Sequence, residues 1–224
     1  MRAFVLLLVV ATAAALLGVT TGSAGFGWPG EEIVLGVRLP RMLAGFGAGA
    51  SLALAGALMQ LLTRNALADP YVLGVAGGAS VGALGLMLVG VATGVALPEW
   101  AIPLAAAAGA ALASALLFVL SWRVLGRHGQ IAGAEVPIAL LLIGVMIGAA
   151  CSAMVSTLLT LAPEAPLRGM VFWLLGDLNG ANRWAASWVG CAVALALVWP
   201  RARELDWPAR RDPWAATLGV PVAR

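Results

Sequence analysis

The side chains able to do acid–base, nucleophilic or metal chemistry are few and scattered. There is one histidine, His128, two cysteines, Cys151 and Cys191, ten carboxylates and thirteen arginines, with no lysine. An intramembrane hydrolase needs a nucleophile with a general base in hydrogen-bond reach. His128 instead stands beside Arg127 in a polar stretch that reads as a solvated loop. Both cysteines lie inside apolar runs, the setting of a small buried hydrophobe rather than of a disulfide or metal pair. No Cys/His or carboxylate cluster has metal-ligand spacing. A Walker A loop places a lysine on the β- and γ-phosphates, so a chain without lysine does not hydrolyse nucleotide by that chemistry. The expectation is a non-enzyme with no cofactor and no metal.

The elements that carry these residues are set by composition. Hydrophobic residues make up 62% of the chain and charged residues 10%, with a mean hydropathy of +0.99, against about 45–50% and about 25% in soluble domains. Most of the surface therefore faces lipid or other helices, and the chain reads as an all-α membrane protein. The net charge of +3 reflects arginine in cytoplasmic loops rather than binding to nucleic acid. No Asp, Glu, Arg or His lies in the interior of any apolar run, where Gln60 is the most polar long side chain. A charge at mid-membrane is costly and kept for a purpose, so its absence argues against a proton- or ion-coupled carrier.

The stretch 38–82 organises the rest. Residues 42–63 carry no charge and are about the twenty that a helix needs to cross a hydrocarbon core of about 30 Å. A polar turn follows, in which Asp69 reads as an N-cap and Pro70 as the first helical residue of a span over 71–97. Six spans are expected in all, over residues 3–21, 39–62, 71–97, 100–125, 137–161 and 184–199, with a single domain over 1–224. The first apolar run is longer than the usual signal-peptide core of about 7–15 residues, so it is read as a retained span. Residues 22–37 then form an external loop, with Trp28 at headgroup level. Residues 162–166, with Pro163 and Pro166, break the chain outside, and 167–175 is too short to cross, so it reads as an interfacial or re-entrant helix. Small residues fall four apart at Gly45, Gly49, Ala53 and Ala57, at Gly74, Gly78 and Gly82, and at Gly144, Gly148, Ser152 and Ser156. Each row marks a helix face for close packing. This topology puts nine arginines inside (2, 64, 123, 127, 201, 203, 210, 211, 224) and four outside (38, 41, 168, 183), the bias of the positive-inside rule.

Four motifs in the same stretch resemble the signature of one permease family. They are Arg38-Leu39-Pro40-Arg41, Gly56-Ala57-Leu58-Met59-Gln60, residues 63–70 (Thr-Arg-Asn-Ala-Leu-Ala-Asp-Pro), and Leu73-Gly74-Val75 with Gly77-Gly78-Ala79. Further similar stretches are Leu141-Leu142-Ile143-Gly144-Val145, residues 172–178 and Leu218-Gly219-Val220-Pro221. The family is the FecCD type, the membrane subunits of ABC importers for iron-siderophores, haem and vitamin B12. The resemblance implies the N-terminal part of a type II ABC importer permease, in the bacterial inner membrane, with the N-terminus and the C-terminal tail in the cytoplasm. Its partners would be a second permease subunit, cytoplasmic ATPase subunits, a periplasmic substrate-binding protein and membrane lipid.

Residue by residue, the resemblance makes Arg38 and Arg41 the external arginines that meet carboxylates on the binding protein, a pairing suited to the guanidinium fork. It places Ser152, Ser156, Phe172 and Trp173 along the translocation pathway. Residues 201–224 become a cytoplasmic loop against the ATPase, with Trp214, Ala215, Leu218, Gly219 and Val220 as the coupling element, because Pro208 and Pro213 oppose a helix before it. The family commonly has about ten spans. The rival reading is a truncated or split-gene product that acts only as a non-transporting helical membrane or assembly protein.

Overall fold

The computed structural model describes residues 2–22, 25–27, 30–63, 65–127, 135–176, 178 and 184–202. Among these residues the fold is all-α apart from one two-residue ladder, and five helices are long and apolar enough to cross a membrane. The chain divides into two compact units, residues 1–55 with 178–224, and residues 56–177.

In the first unit, α1 (Arg2–Thr20) buries no residue at all, and Phe4, Leu6 and Leu7 are all widely exposed. A helix apolar all round needs an apolar solvent, which lipid supplies. Its hydroxyls turn inward: Thr12 Oγ1 donates to Leu8 O and Thr20 Oγ1 to Leu16 O, each at 2.8 Å, leaving no polar hydrogen to the lipid. A short antiparallel ladder pairs Thr21 with Phe26.

The next helix begins earlier than the external loop assigned to residues 22–37 allows. Gly30 caps an α-turn at Glu31–Ile33, a π-turn follows at Val34–Arg38, and the α-helix continues over Leu39–Thr63. Glu31 and Glu32 occupy the first turn, where carboxylates offset the exposed N–H groups and the positive end of the helix dipole. This continuous element, α2 (Glu31–Thr63), has 33 residues, about 50 Å at about 1.5 Å each, and so carries Arg38 within a helix rather than ahead of one, on the same helix as Arg41. In the same unit, α7 (Trp184–Val198) has 15 residues and ends in a 3₁₀ turn, Trp199–Arg201, where Pro200 cannot continue the α-helical hydrogen bonds. It is about 22 Å long, shorter than the sixth full span expected there. It is pinned to α2 by Trp188 Nε1, which donates to Leu43 O at 2.9 Å.

The second unit is built on glycine. The expected N-cap at Asp69 is present, with Oδ1 accepting from Tyr71 N at 2.8 Å, but it caps a 3₁₀ turn, Pro70–Leu73. Gly74 then adopts φ 76°, a left-handed conformation that glycine takes without steric cost, so α3 runs over Val75–Thr93 and not from residue 71. Gly94, at φ 67°, ends it. α4 (Ala101–Arg127) returns antiparallel to α3, and α5 (Glu135–Leu161) packs against both. Ala162 and Pro163 alone break the chain before α6 (Glu164–Leu175). Pro166 does not extend that break as expected, because it sits in the first turn of α6, where a backbone N–H has no intrahelical partner to lose. Two apolar clusters hold the unit: Ala113, Leu117, Ile143 and Ile147, and, around α6, Ala83, Leu84 and Met170.

Candidate functional site

Within the second unit, the polar turn after α2 is folded by its own side chains. Asn65 Oδ1 accepts from Leu67 N at 2.9 Å and Asn65 O from Ala68 N at 3.1 Å, and Asp69 follows with its cap. Asn and Asp are suited to this because a short side-chain acceptor closes a turn two residues on. That turn sets the sharp start of α3, which lands on α5. A β-carbon on Gly144 would lie 2.6 Å from Val72 O and 2.9 Å from Leu73 Cα, and one on Gly74 would lie 3.0 Å from Gly148 N. One turn further on, a β-carbon on Gly77 would lie 2.7 Å from Cys151 Cβ. Leu73-Gly74-Val75 and Ile143-Gly144-Val145, far apart in sequence, are thus one backbone-to-backbone junction.

The other side of α3 is closed as tightly by α4. A β-carbon on Gly78 would sit 2.5 Å from both Ala113 Cβ and Gly109 O, and those on Gly82 and Gly109 would run into the carbonyl oxygens of Ala105 and Gly78. Close approach of this kind is how membrane helices associate when lipid removes the hydrophobic drive between them. α3 is therefore a glycine helix wedged between two neighbours.

The pathway residues named from the sequence divide here. Ser152 and Ser156 continue the row of Gly144 and Gly148, yet Ser156 Oγ donates within its own helix, to Ser152 O at 3.0 Å. Ser152 and Ser156 are both exposed. On α6, Phe172 is 56% exposed, whereas Trp173 packs against the Ala83, Leu84 and Met170 cluster. Met170 went unremarked in the sequence, yet it is wholly buried and anchors α6. Its spacing of three from Trp173 is the signal that marks the inner face. Ser121 is the other residue that sequence reasoning passed over: its hydroxyl is buried on α4 with no hydrogen-bond partner among the described residues. Cys151 and Cys191 are free and half-buried, the first as packing against Gly77.

In the first unit, Arg38 and Arg41 stand at one end of a groove of about 940 Å³ along α2. Arg38 closes the π-turn, and its Nη1 donates to Val19 O at 2.6 Å. Its guanidinium lies against Gly22, where a β-carbon would clash with it. Arg38 is half-buried and Arg41 exposed. The row Gly45, Gly49 and Ala53 faces this groove rather than a packed helix, so the close helix packing expected of it is not made among the described residues. The contact of α2 with α7 in this unit is offset from that row: a β-carbon on Gly47 would lie 3.1 Å from Ser187 Cβ and from Trp188 Cδ1. The coupling residues Trp214, Ala215, Leu218, Gly219 and Val220, with Arg64 and His128, lie outside the described residues.

This arrangement agrees with what the chain is similar to. The model of the FecCD transport family matches residues 3–224. The vitamin B12 import system permease protein BtuC of Escherichia coli strain K12 / DH10B is 35% identical over 195 residues, covering 86% of this chain and 56% of that protein. Its counterpart in Salmonella newport strain SL254 is 36% identical over the same share of each. The chain thus spans little more than half the length of these curated relatives. A solved chain, described as an inward-facing conformation of a metal-chelate type ABC transporter, superposes with a TM-score of 0.75 at 23% identity, over 98% of this chain and 68% of that one, which speaks to fold. With a family match over nearly its whole length, a glycine-wedged helix junction at the matching motifs and several membrane-length apolar helices, this chain belongs to the FecCD transport family.

Proposed function

We propose that the chain forms part of the membrane-spanning permease of an ATP-driven importer for metal chelates of the iron-siderophore, haem or cobalamin type. The observation that carries this reading is the junction at Gly74, Gly78 and Gly144, because it gives the family-like motifs a physical role, that of bringing α3, α4 and α5 to backbone contact. The relatives named above are vitamin B12 permeases, which supports this chemical class of cargo. No Asp, Glu, Arg or His lies in the interior of the spans and the chain has no lysine, so the work of transport comes from elsewhere. ATPase subunits on the cytoplasmic side supply it, a periplasmic binding protein delivers the chelate, and a second permease subunit completes the pathway. The protein sits in the bacterial inner membrane with both its N-terminus and its C-terminal tail in the cytoplasm.

The roles of single residues follow the same reading. Arg38 and Arg41, on the stretch of α2 that has length to spare beyond the hydrocarbon, meet carboxylates of the binding protein through charge-assisted pairs. Ser152, Ser156, Phe172 and Trp173 line the pathway. Trp214, Ala215, Leu218, Gly219 and Val220 contact the ATPase. Replacing Arg38 and Arg41 together by glutamate is expected to weaken docking of the loaded binding protein by about a hundredfold, since attraction becomes repulsion at two sites. Surface plasmon resonance on the reconstituted permease reads this directly, and an unchanged affinity would remove the two arginines from the docking surface.

A further inference from the structure

The last carbonyls of an α-helix have no partner within it. At the end of α1, Leu17 O accepts from Thr21 Oγ1 and Thr20 O from Gly27 N, both close by in the chain. Val19 O instead accepts from Arg38 Nη1, at 2.6 Å and 19 residues on, and a cation there also meets the negative end of the helix dipole. Arg38 reaches it from the wide turn of α2. Pro40 has no N–H to give Gly36 O, and Leu39 N bonds Val34 O in the π-turn that Arg38 closes. The guanidinium also rests on bare backbone: a β-carbon on Gly22 would collide with Nη2 and lie 3.0 Å from Cζ and 3.4 Å from Nε. One turn along α2, a β-carbon on Gly18 would lie 3.9 Å from Met42 Cγ, so α1 meets α2 there too.

Resting on the docking role proposed for Arg38, we infer that Gly22 and the last turn of α1 are positioning residues of the docking site. Val19 O and the Gly22 backbone form a cradle that fixes the guanidinium in the orientation in which it receives a carboxylate of the binding protein. A guanidinium has five N–H groups in a planar fork, and the bond to Val19 O uses one. The rest of the fork can still take a carboxylate, with less rotamer freedom to lose when it does. Bidentate pairing rewards this, since two N–H groups have to point the same way. Gly22 serves the cradle by lacking a side chain. Its φ lies outside the left-handed region, so its backbone accepts alanine. The atoms in the way belong to the far end of a flexible side chain, and alanine therefore displaces the guanidinium and leaves the fold in place.

The test begins on the chain itself, in detergent, with phenylglyoxal as the arginine-specific probe and mass spectrometry of the modified peptides. Gly22→Ala is expected to speed modification of Arg38 about tenfold, the size of one lost hydrogen bond to a charged group, with the rate at Arg41 unchanged. An Arg38 rate that Gly22→Ala does not alter overturns the cradle. Docking of the loaded binding protein to the reconstituted permease is the second arm. Gly22→Ala and Arg38→Ala are each expected to weaken it about tenfold, and the double variant no further, because residues that act through one another are not additive. A loss in the double variant equal to the product of the two gives Gly22 a separate effect and overturns the inference. Loss from Arg38→Ala without loss from Gly22→Ala overturns it too, and leaves the import reading standing. No loss from Arg38→Ala removes the docking role of Arg38 itself, and the inference falls with it.

Discussion

The glycines of α3 and the small residues of α2 follow the same four-residue spacing, yet the two rows are used differently. Gly74, Gly78 and Gly82 are pressed against the backbones of α5 and α4, while Gly45, Gly49 and Ala53 face an open groove. Spacing alone tells that a helix can be approached closely, because rows at four residues share a face. Which helix approaches depends on topology. α3 is followed by a short connection, Gly94 to Trp100, that returns α4 alongside it. The row on α2 shares its groove with Ala14 and Gly18 of α1, which do not close on it as α4 closes on α3.

The largest expected effect lies on the closed row. Gly82→Leu or Gly109→Leu has no space to occupy and must part α3 from α4, at a cost of about 3 kcal/mol or more. A thermal unfolding assay in detergent should show a fall in Tm of many degrees or no recoverable folded protein. Met170→Ala comes next. It empties the one fully buried side chain of α6, at about 2 kcal/mol, since a lost packing partner leaves a cavity. Limited proteolysis of the α6 region should accelerate while α1 is unaffected. Gly74→Ala combines a left-handed backbone with a close approach to Gly148 N, and about 1–2 kcal/mol of destabilisation is expected. The smallest effect belongs to the open row: Gly49→Leu should change the stability of the chain by less than about 0.5 kcal/mol. A large loss there would close the distinction between the two rows.

Much of the architecture was legible. The apolar runs, the Asp69 cap and the short helix before residue 176 followed from length, charge and turn chemistry, which act locally. The misplaced boundaries share one cause, a residue that acts against its neighbours' propensity. Gly74 stops the turn that Pro70 starts, and Glu31 and Glu32 begin a helix where a loop was expected. Pro166 reads as a breaker but is tolerated in a first turn. The junction of Gly74 with Gly144 was visible only as two separate motifs, because nothing in the sequence pairs residues so far apart. Met170 and the buried Ser121 hydroxyl were hidden for the same reason: each is defined by neighbours on other helices.

Sidedness is the point on which the import reading turns, since an ATPase can act only on elements that share its face of the membrane. Single cysteines at Asn65, Ala202 and Glu31, in a background with Cys151→Ala and Cys191→Ala, should be labelled with a membrane-impermeant maleimide from each side of inner-membrane vesicles. The account predicts that Asn65→Cys and Ala202→Cys react from the cytoplasmic face and Glu31→Cys from the periplasmic one. Labelling of Asn65→Cys and Ala202→Cys from opposite faces would contradict it.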